Sequence, residues 1–293
     1  MNAGRRKRSN EMNVVTAAPT PVCCMPQAFQ MLASHVNHLN STDALLGGAM
    51  AISMNALHDV DPAAVDAKLQ SYADTVRSRV RGHQPQAILA HLHEVLFEEE
   101  GFSGNADDYY NTANNFLPVV METKRGLPIT LSLVYKDVAS RLGIRAYGIN
   151  LPGHFLVGVD IDGSPMLVDC FNKGRIITTA EAHDRLRQIF GDEVEWSDEL
   201  LKPASHRLWL TRMLQNLLNT YGSRGQYLEV AAMLEMEMLL WPNENRLQRD
   251  LALVLARCGL SKPARVWLDR YLSSNPDDPQ TRDLKQLLEV LTA

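Results

Sequence analysis

Only 6% of the residues in this 293-residue chain are aromatic, only four are cysteine, and no apolar run approaches the length of a membrane span. Each shortage excludes something. A membrane-crossing helix needs about 18 consecutive apolar residues, and here charges interrupt every apolar stretch, so no membrane partner is expected. Cys23, Cys24, Cys170 and Cys258 show no paired metal-ligand spacing, which removes zinc and iron–sulfur sites and favours reduced thiols in the cytoplasm. No phosphate-binding or dinucleotide fingerprint is present, so no cofactor is expected. An excess of positive charge is missing too. Lys and Arg total 29 against 34 Asp and Glu, a formal net charge of -5, which argues against direct nucleic-acid contact.

One basic cluster stands out, Arg5-Arg6-Lys7-Arg8, followed by polar and proline-containing sequence to Pro26. A secretory signal would place an apolar segment directly behind such charges. Residues 1–26 are therefore expected to be a flexible basic tail. The whole sequence is 45% hydrophobic and 22% charged, an ordinary globular balance. Its length suits two packed units at about 100–200 residues each.

Helical periodicity governs residues 27–100. Val65, Leu69, Tyr72 and Val76, then Ile88, Leu92, Val95 and Leu96, recur at three- and four-residue steps, predicting helices over 62–80 and 84–100. Asp61-Pro62 supplies a capping residue and a first-turn proline. Residues 101–115, rich in Gly, Asn, Asp and Tyr, predict an ordered loop. A helix follows from 114 or 115 to about 124, then a second from Pro128 to Leu142-Gly143, where glycine stops it.

Beyond Gly143 the period becomes two. Strands are expected over 145–150, 154–161 and 165–171, with a short one at 175–178, and Asp162-Gly163 is a strong hairpin signal. A two-residue loop there pairs Ile161 with Ser164. One face of the sheet then carries Phe155, Val157, Val159, Ile161, Met166, Val168 and Cys170, a core face on which Cys170 is a small hydrophobe. The other carries His154, Leu156, Gly158, Asp160, Leu167, Asp169 and Phe171. His154 and Asp169 become diagonal neighbours at roughly 7–8 Å between backbone positions. Such a pair suits a general base oriented by a carboxylate; it also suits two polar groups that merely satisfy each other.

From Ser205 the chain is helical and partly repetitive. Pro242 and Pro276 stand 34 residues apart, Ala231 and Ala264 hold similar places before them, and Gly222 and Gly259 sit in the preceding turns. That period is typical of tetratricopeptide-type helical hairpins. The fold class expected is α+β, a helical and small antiparallel-sheet core, followed by an all-α region packed on it. The boundaries are 1–26, 27–200 and 205–293.

These residues resemble a known family. Arg125-Gly126-Leu127-Pro128-Ile129-Thr130-Leu131-Ser132, Arg141-Leu142-Gly143-Ile144, Leu151-Pro152-Gly153-His154-Phe155 and Asp169-Cys170-Phe171-Asn172 look like bacterial transglutaminase-like proteins with a C-terminal tetratricopeptide region. Some of these are named as regulators of invasion genes. The resemblance spans about 85–290 and implies a papain- or transglutaminase-like core. It also implies that a catalytic cysteine should open the central helix, where the helix's positive end lowers its pKa. Here that position is Pro128. His154 and Asp169 match the family's base and orienting acid, but there is no nucleophile to activate.

Ser132, one turn further along the helix, is displaced about 6 Å along the axis. Thr130 points elsewhere and is expected to bond the backbone in the first turn. One His and one Asp are too few to hold a metal, so none is expected. The leading expectation is a non-catalytic module that binds a protein or peptide in a cleft lined by His154, Asp169 and the helix start at Pro128, with Asn114, Asn115 and Thr130 as further binding residues. The competing one is a hydrolase or amidase using His154 and Asp169 with Ser132 or an activated water. Any regulatory effect on gene expression would be indirect.

Overall fold

The computed structural model describes residues 20–291 apart from 83, 162, 163, 192, 194 and 278. Most of the basic tail and the Asp162-Gly163 turn therefore lie outside the described residues. The chain opens with α1 (Pro26–Val36), α2 (Thr42–Ala56), α3 (Pro62–Arg79) and α4 (Pro85–His93). The Asp61 side chain accepts from Ala63 N at 2.9 Å, capping α3 in the manner expected of an Asp-Pro start. The helix expected over 84–100 changes pitch at its midpoint, where Glu94–Glu99 form a π turn. Its apolar positions fit both pitches, so periodicity could not separate them.

The loop expected at 101–115 contains short structure. β1 (Ser103–Gly104) pairs in parallel with β2 (Arg125–Gly126), a 3-10 turn covers Thr112–Asn115, and α5 (Leu117–Thr123) lies between. Two-residue strands are too short to show an alternation. Next comes α6 (Pro128–Arg141), buried along most of its length and ended by Gly143 at φ +78°.

Four antiparallel strands follow in the order β3 (Ala146–Ile149), β4 (Leu156–Ile161), β5 (Ser164–Asp169) and β6 (Arg175–Ile177). Ile161 pairs with Ser164, Val159 with Met166 and Val157 with Val168, the register a two-residue loop requires. Phe155, Val157, Val159, Val168 and Cys170 enter the main core. The opposite face is covered as well. Leu156, Leu167 and Ile177 form a second, small core with Ala182 of α7 (Thr179–Phe190). Its start carries a capping box, with Thr178 Oγ1 accepting from Glu181 N at 3.2 Å and Glu181 Oε2 accepting from Thr178 N at 2.7 Å.

The C-terminal helices are α8 (His206–Ser223), α9 (Tyr227–Leu240), α10 (Asn245–Arg257), α11 (Ser261–Ser274) and α12 (Thr281–Val290). α9 and α11 have 14 residues each and begin 34 positions apart. They end alike, Trp241 at φ -129° and ψ 69°, Asn275 at φ -135° and ψ 63°. The glycine matching Gly259 (φ +74°) is Gly225 (φ +69°); Gly222 lies inside α8, one turn too early.

These helices share the core rather than forming a separate one. The Trp209 ring on α8 lies 4.6 Å from Phe155, and a Cβ added at Gly148 would meet it at 2.4 Å. Gly48 of α2 is likewise pressed against Leu210. The N-terminal segment also departs from expectation. The amides of Val22, Cys23 and Cys24 donate to the Glu235 carboxylate of α9 at 2.6, 3.0 and 2.7 Å. Residues 20–26 are thus packed rather than part of a flexible tail, because a buried carboxylate must gather donors. Among the described residues no helix is long and apolar enough to cross a membrane.

Two glycine substitutions test this packing. Gly148→Ala should cost about 1–3 kcal/mol by forcing Trp209 and Phe155 apart, whereas Gly222→Ala, with open space around it, should stabilise by about 0.5–1 kcal/mol. Urea unfolding of both variants reads the difference, and equal effects would contradict the close approach of α8 to the sheet.

Candidate functional site

Asp169 ends β5 and is fully buried. Its Oδ1 accepts from the amides of Phe171 (3.1 Å) and Asn172 (3.2 Å), capping the 3-10 turn Cys170–Asn172. Its Oδ2 accepts from Asn172 Nδ2 at 2.8 Å and from the Arg185 guanidinium of α7. A carboxylate offers about four acceptor sites, and these four donors occupy them.

His154 arrives on the turn before β4. Its amide donates to Leu151 O at 3.1 Å, and Gly153 at φ +69° makes that turn. The imidazole is buried, and Nε2 stands 3.1 Å from Asp169 Oδ1. The two form a close polar contact on the oxygen that the turn amides also share. Phe171 meets the imidazole edge-on at 6.3 Å between ring centres. Burial pushes the Asp169 carboxyl up, but His154, Asn172 and Arg185 together outweigh it and hold the group well below the usual carboxylate range.

Pro128 is buried at the first position of α6, behind Leu127 as its capping residue. Leu127 N donates to Asn114 O at 3.2 Å. Ser132 and Thr130 are both fully buried, and among the described residues neither hydroxyl has a nitrogen or oxygen hydrogen-bond partner. Thr130 therefore does not make the first-turn backbone bond expected of it, and Ser132 has no base in hydrogen-bond reach. Cys170 is fully buried and its thiol is pushed up by that burial, so it stays protonated and unreactive.

The two asparagines divide. Asn114 is tied up, accepting from Asn105 Nδ2 at 2.9 Å and donating to Asp108 O at 2.7 Å. Asn115 is 1% exposed and its Oδ1 has no partner among the described residues. Asn115 and Leu127 line a cleft of about 260 Å³ between the Tyr109-Tyr110 loop and α8. A second, polar cleft of about 370 Å³ runs along Asp169, Asn172 and Arg185. Neither includes His154. No cluster of three or more His, Cys, Asp or Glu able to hold a metal occurs among the described residues.

Sequence reasoning missed Arg185 and the contribution of α8, while Tyr109 and Tyr110, readable as cleft candidates beside Asn114 and Asn115, do line a cleft. Arg185 was recoverable in principle, because Thr178 followed three residues later by Glu181 announces α7, which carries it. The meeting of Tyr109 with α8 joins residues about a hundred positions apart, and no local pattern records that.

Residues 63–215 match the family model described as the transglutaminase-like superfamily. The UPF0162 protein of Xylella fastidiosa strain 9a5c is 34% identical over 241 residues, covering 81% of this chain and 86% of that protein. The UPF0162 protein of Haemophilus influenzae is 24% identical, covering 76% of this chain and 84% of that one. The human F-box only protein 21 is 26% identical over 70% of this chain and 37% of its own length. No solved structure matches. None of these relatives carries an invasion-regulator name.

The Asp169 cluster predicts a pH signature. An unfolded Asp titrates near pH 3.9, and the folded carboxyl lies lower. Its stabilisation is therefore full above about pH 5 and drains as pH falls below about 4. Asp169→Asn should lose about 3 kcal/mol at pH 7 by stranding Arg185 and His154. The gap to the parent should narrow in acid. A gap independent of pH in denaturant unfolding would rule out the ionised carboxylate as its source.

Proposed function

We propose that this chain, which belongs to the transglutaminase-like superfamily, binds a protein or peptide segment without turning it over. The observation that carries this reading is Pro128. It occupies the position where the superfamily resemblance calls for a cysteine, and a proline has no group that attack on a carbonyl could use. The surroundings agree. Ser132 is sealed in the core with no base bonded to it among the described residues, and Asp169, besides facing the imidazole, is bonded by the Cys170–Asn172 turn and Arg185, which hold the fold.

In this reading residues 27–200 are the transglutaminase-like unit, with His154 and Asp169 kept for the fold. Residues 205–293 are tetratricopeptide-like hairpins, supported by the matched ends of α9 and α11. Paired-helix hairpins present faces suited to peptides. The buried, unpaired thiols of Cys24 and Cys170 fit a cytoplasmic setting.

A panel of acyl donors and amide substrates offered to the parent and to His154→Ala tests the claim. Neither protein should turn over any substrate above the uncatalysed rate. Turnover in the parent that vanishes in the variant would overturn the proposal in favour of a hydrolase using Ser132 or an activated water.

A further inference from the structure

The cleft between the Tyr109-Tyr110 loop and α8 has the chemistry of a main-chain binding groove. On its α8 side stand Asn216 and Asn219, with Thr220 and Ser223 one helical turn beyond each. Neither asparagine side chain has a hydrogen-bond partner among the described residues, while Thr220 and Ser223 donate to their own helix, to Asn216 O and Thr220 O, and keep lone pairs free. A carboxamide offers a donor and an acceptor side by side, matching the N–H and C=O of one peptide unit. The turn-to-turn rise of about 6 Å along α8 lies close to the two-residue repeat of an extended chain, about 6.6 Å.

The floor supplies a second and independent sign. Asn115 Oδ1 is a buried acceptor with no donor, a state that costs about 1–3 kcal/mol until a donor arrives. A peptide N–H is such a donor; the phosphodiester oxygens of a nucleic-acid backbone are not. Tyr110 is 77% exposed and meets Tyr109 edge-on, an aromatic surface on the rim able to pack a bound side chain.

Charge selects the segment. Arg224 donates to Tyr110 O at 3.0 Å and Arg212 reaches Asn150 Oδ1 at 3.4 Å. Neither guanidinium has a carboxylate partner among the described residues, although acidic residues outnumber basic ones in this chain. Arg212 stands one helical turn before Asn216 on α8, outside the cleft lining, whereas Arg224 lines the cleft itself. We propose that this groove holds an extended peptide segment bearing an acidic side chain, its main chain clamped by Asn115, Asn216 and Asn219 and its carboxylate met by Arg224. This rests on the binding reading above and gives it a location and a ligand class.

An array of immobilised twelve-residue peptides, with acidic, neutral and basic members of otherwise equal composition, probed with the full chain, tests it. The acidic members should be retained. In solution, the tightest labelled peptide should bind Asn216→Ala/Asn219→Ala at least about tenfold more weakly, the loss of one or two net hydrogen bonds. Arg224→Glu should shift the preference toward basic members. Asn216 and Asn219 lie on the helix surface, and an unchanged melting curve of the double variant shows that its fold is intact. Peptides that bind parent and double variant equally would overturn the groove assignment while leaving a binding function elsewhere on the molecule. Selection of neutral or basic members, or no retention, would overturn the ligand class. Substrate turnover, by contrast, is what would overturn the non-catalytic reading itself.

Discussion

A carboxylate shut away from water must collect its hydrogen bonds from protein, and the way Asp169 does so organises this molecule. Its donors come from the Cys170–Asn172 turn and from Arg185 of α7, and His154 presses against it from the start of β4. One charged group therefore sets the end of β5, the turn toward β6, the seating of α7 and the entry to β4. Without the ionised form Arg185 loses its counter-charge and the turn amides lose their charge-assisted acceptor. The low pKa direction of the group and its complete burial are two sides of the same arrangement.

That arrangement bears on what a base and an acid can still do here. In a working triad the acid's open lone pair aligns the imidazole, and the imidazole's other nitrogen faces a nucleophile. In this chain the acid is fully engaged, the imidazole is enclosed beside Phe171, and the first residue of α6 is a proline. His154 and Asp169 tie strands and turns together here, and at the start of α6 a proline serves a helix as well as any residue.

Much of this was legible in the chain itself. Alternation along 154–171 and a two-residue turn put His154 and Asp169 on one face, because a period of two leaves no freedom once the register is set. Asp61-Pro62, Pro128 and Gly143 marked helix ends by well-understood stereochemistry. The failures have physical reasons as well. The sheet's second face mixes apolar and charged residues, so nothing local announces that Leu156 and Leu167 are covered by α7. The segment at 20–25 reads as polar and irregular, and only the distant Glu235 makes it ordered. The spacing of Pro242 and Pro276 equals that of the starts of α9 and α11, but the left-handed glycines at that spacing are Gly225 and Gly259 and not Gly222, because only the backbone angle tells a left-handed cap from a helical glycine. The unpaired Asn115 and its facing helix depend on contacts across the chain that no local pattern encodes.

The most direct test of the central claim, that the His154–Asp169 contact serves the fold, is a double-mutant cycle in unfolding free energy using His154→Ala, Asp169→Asn and the pair. The account predicts that removing His154 costs stability in the parent and much less once Asp169 is changed, a coupling of about 1 kcal/mol or more. Strict additivity of the two substitutions would contradict it, because it would mean that the imidazole is held in place for something other than the carboxylate.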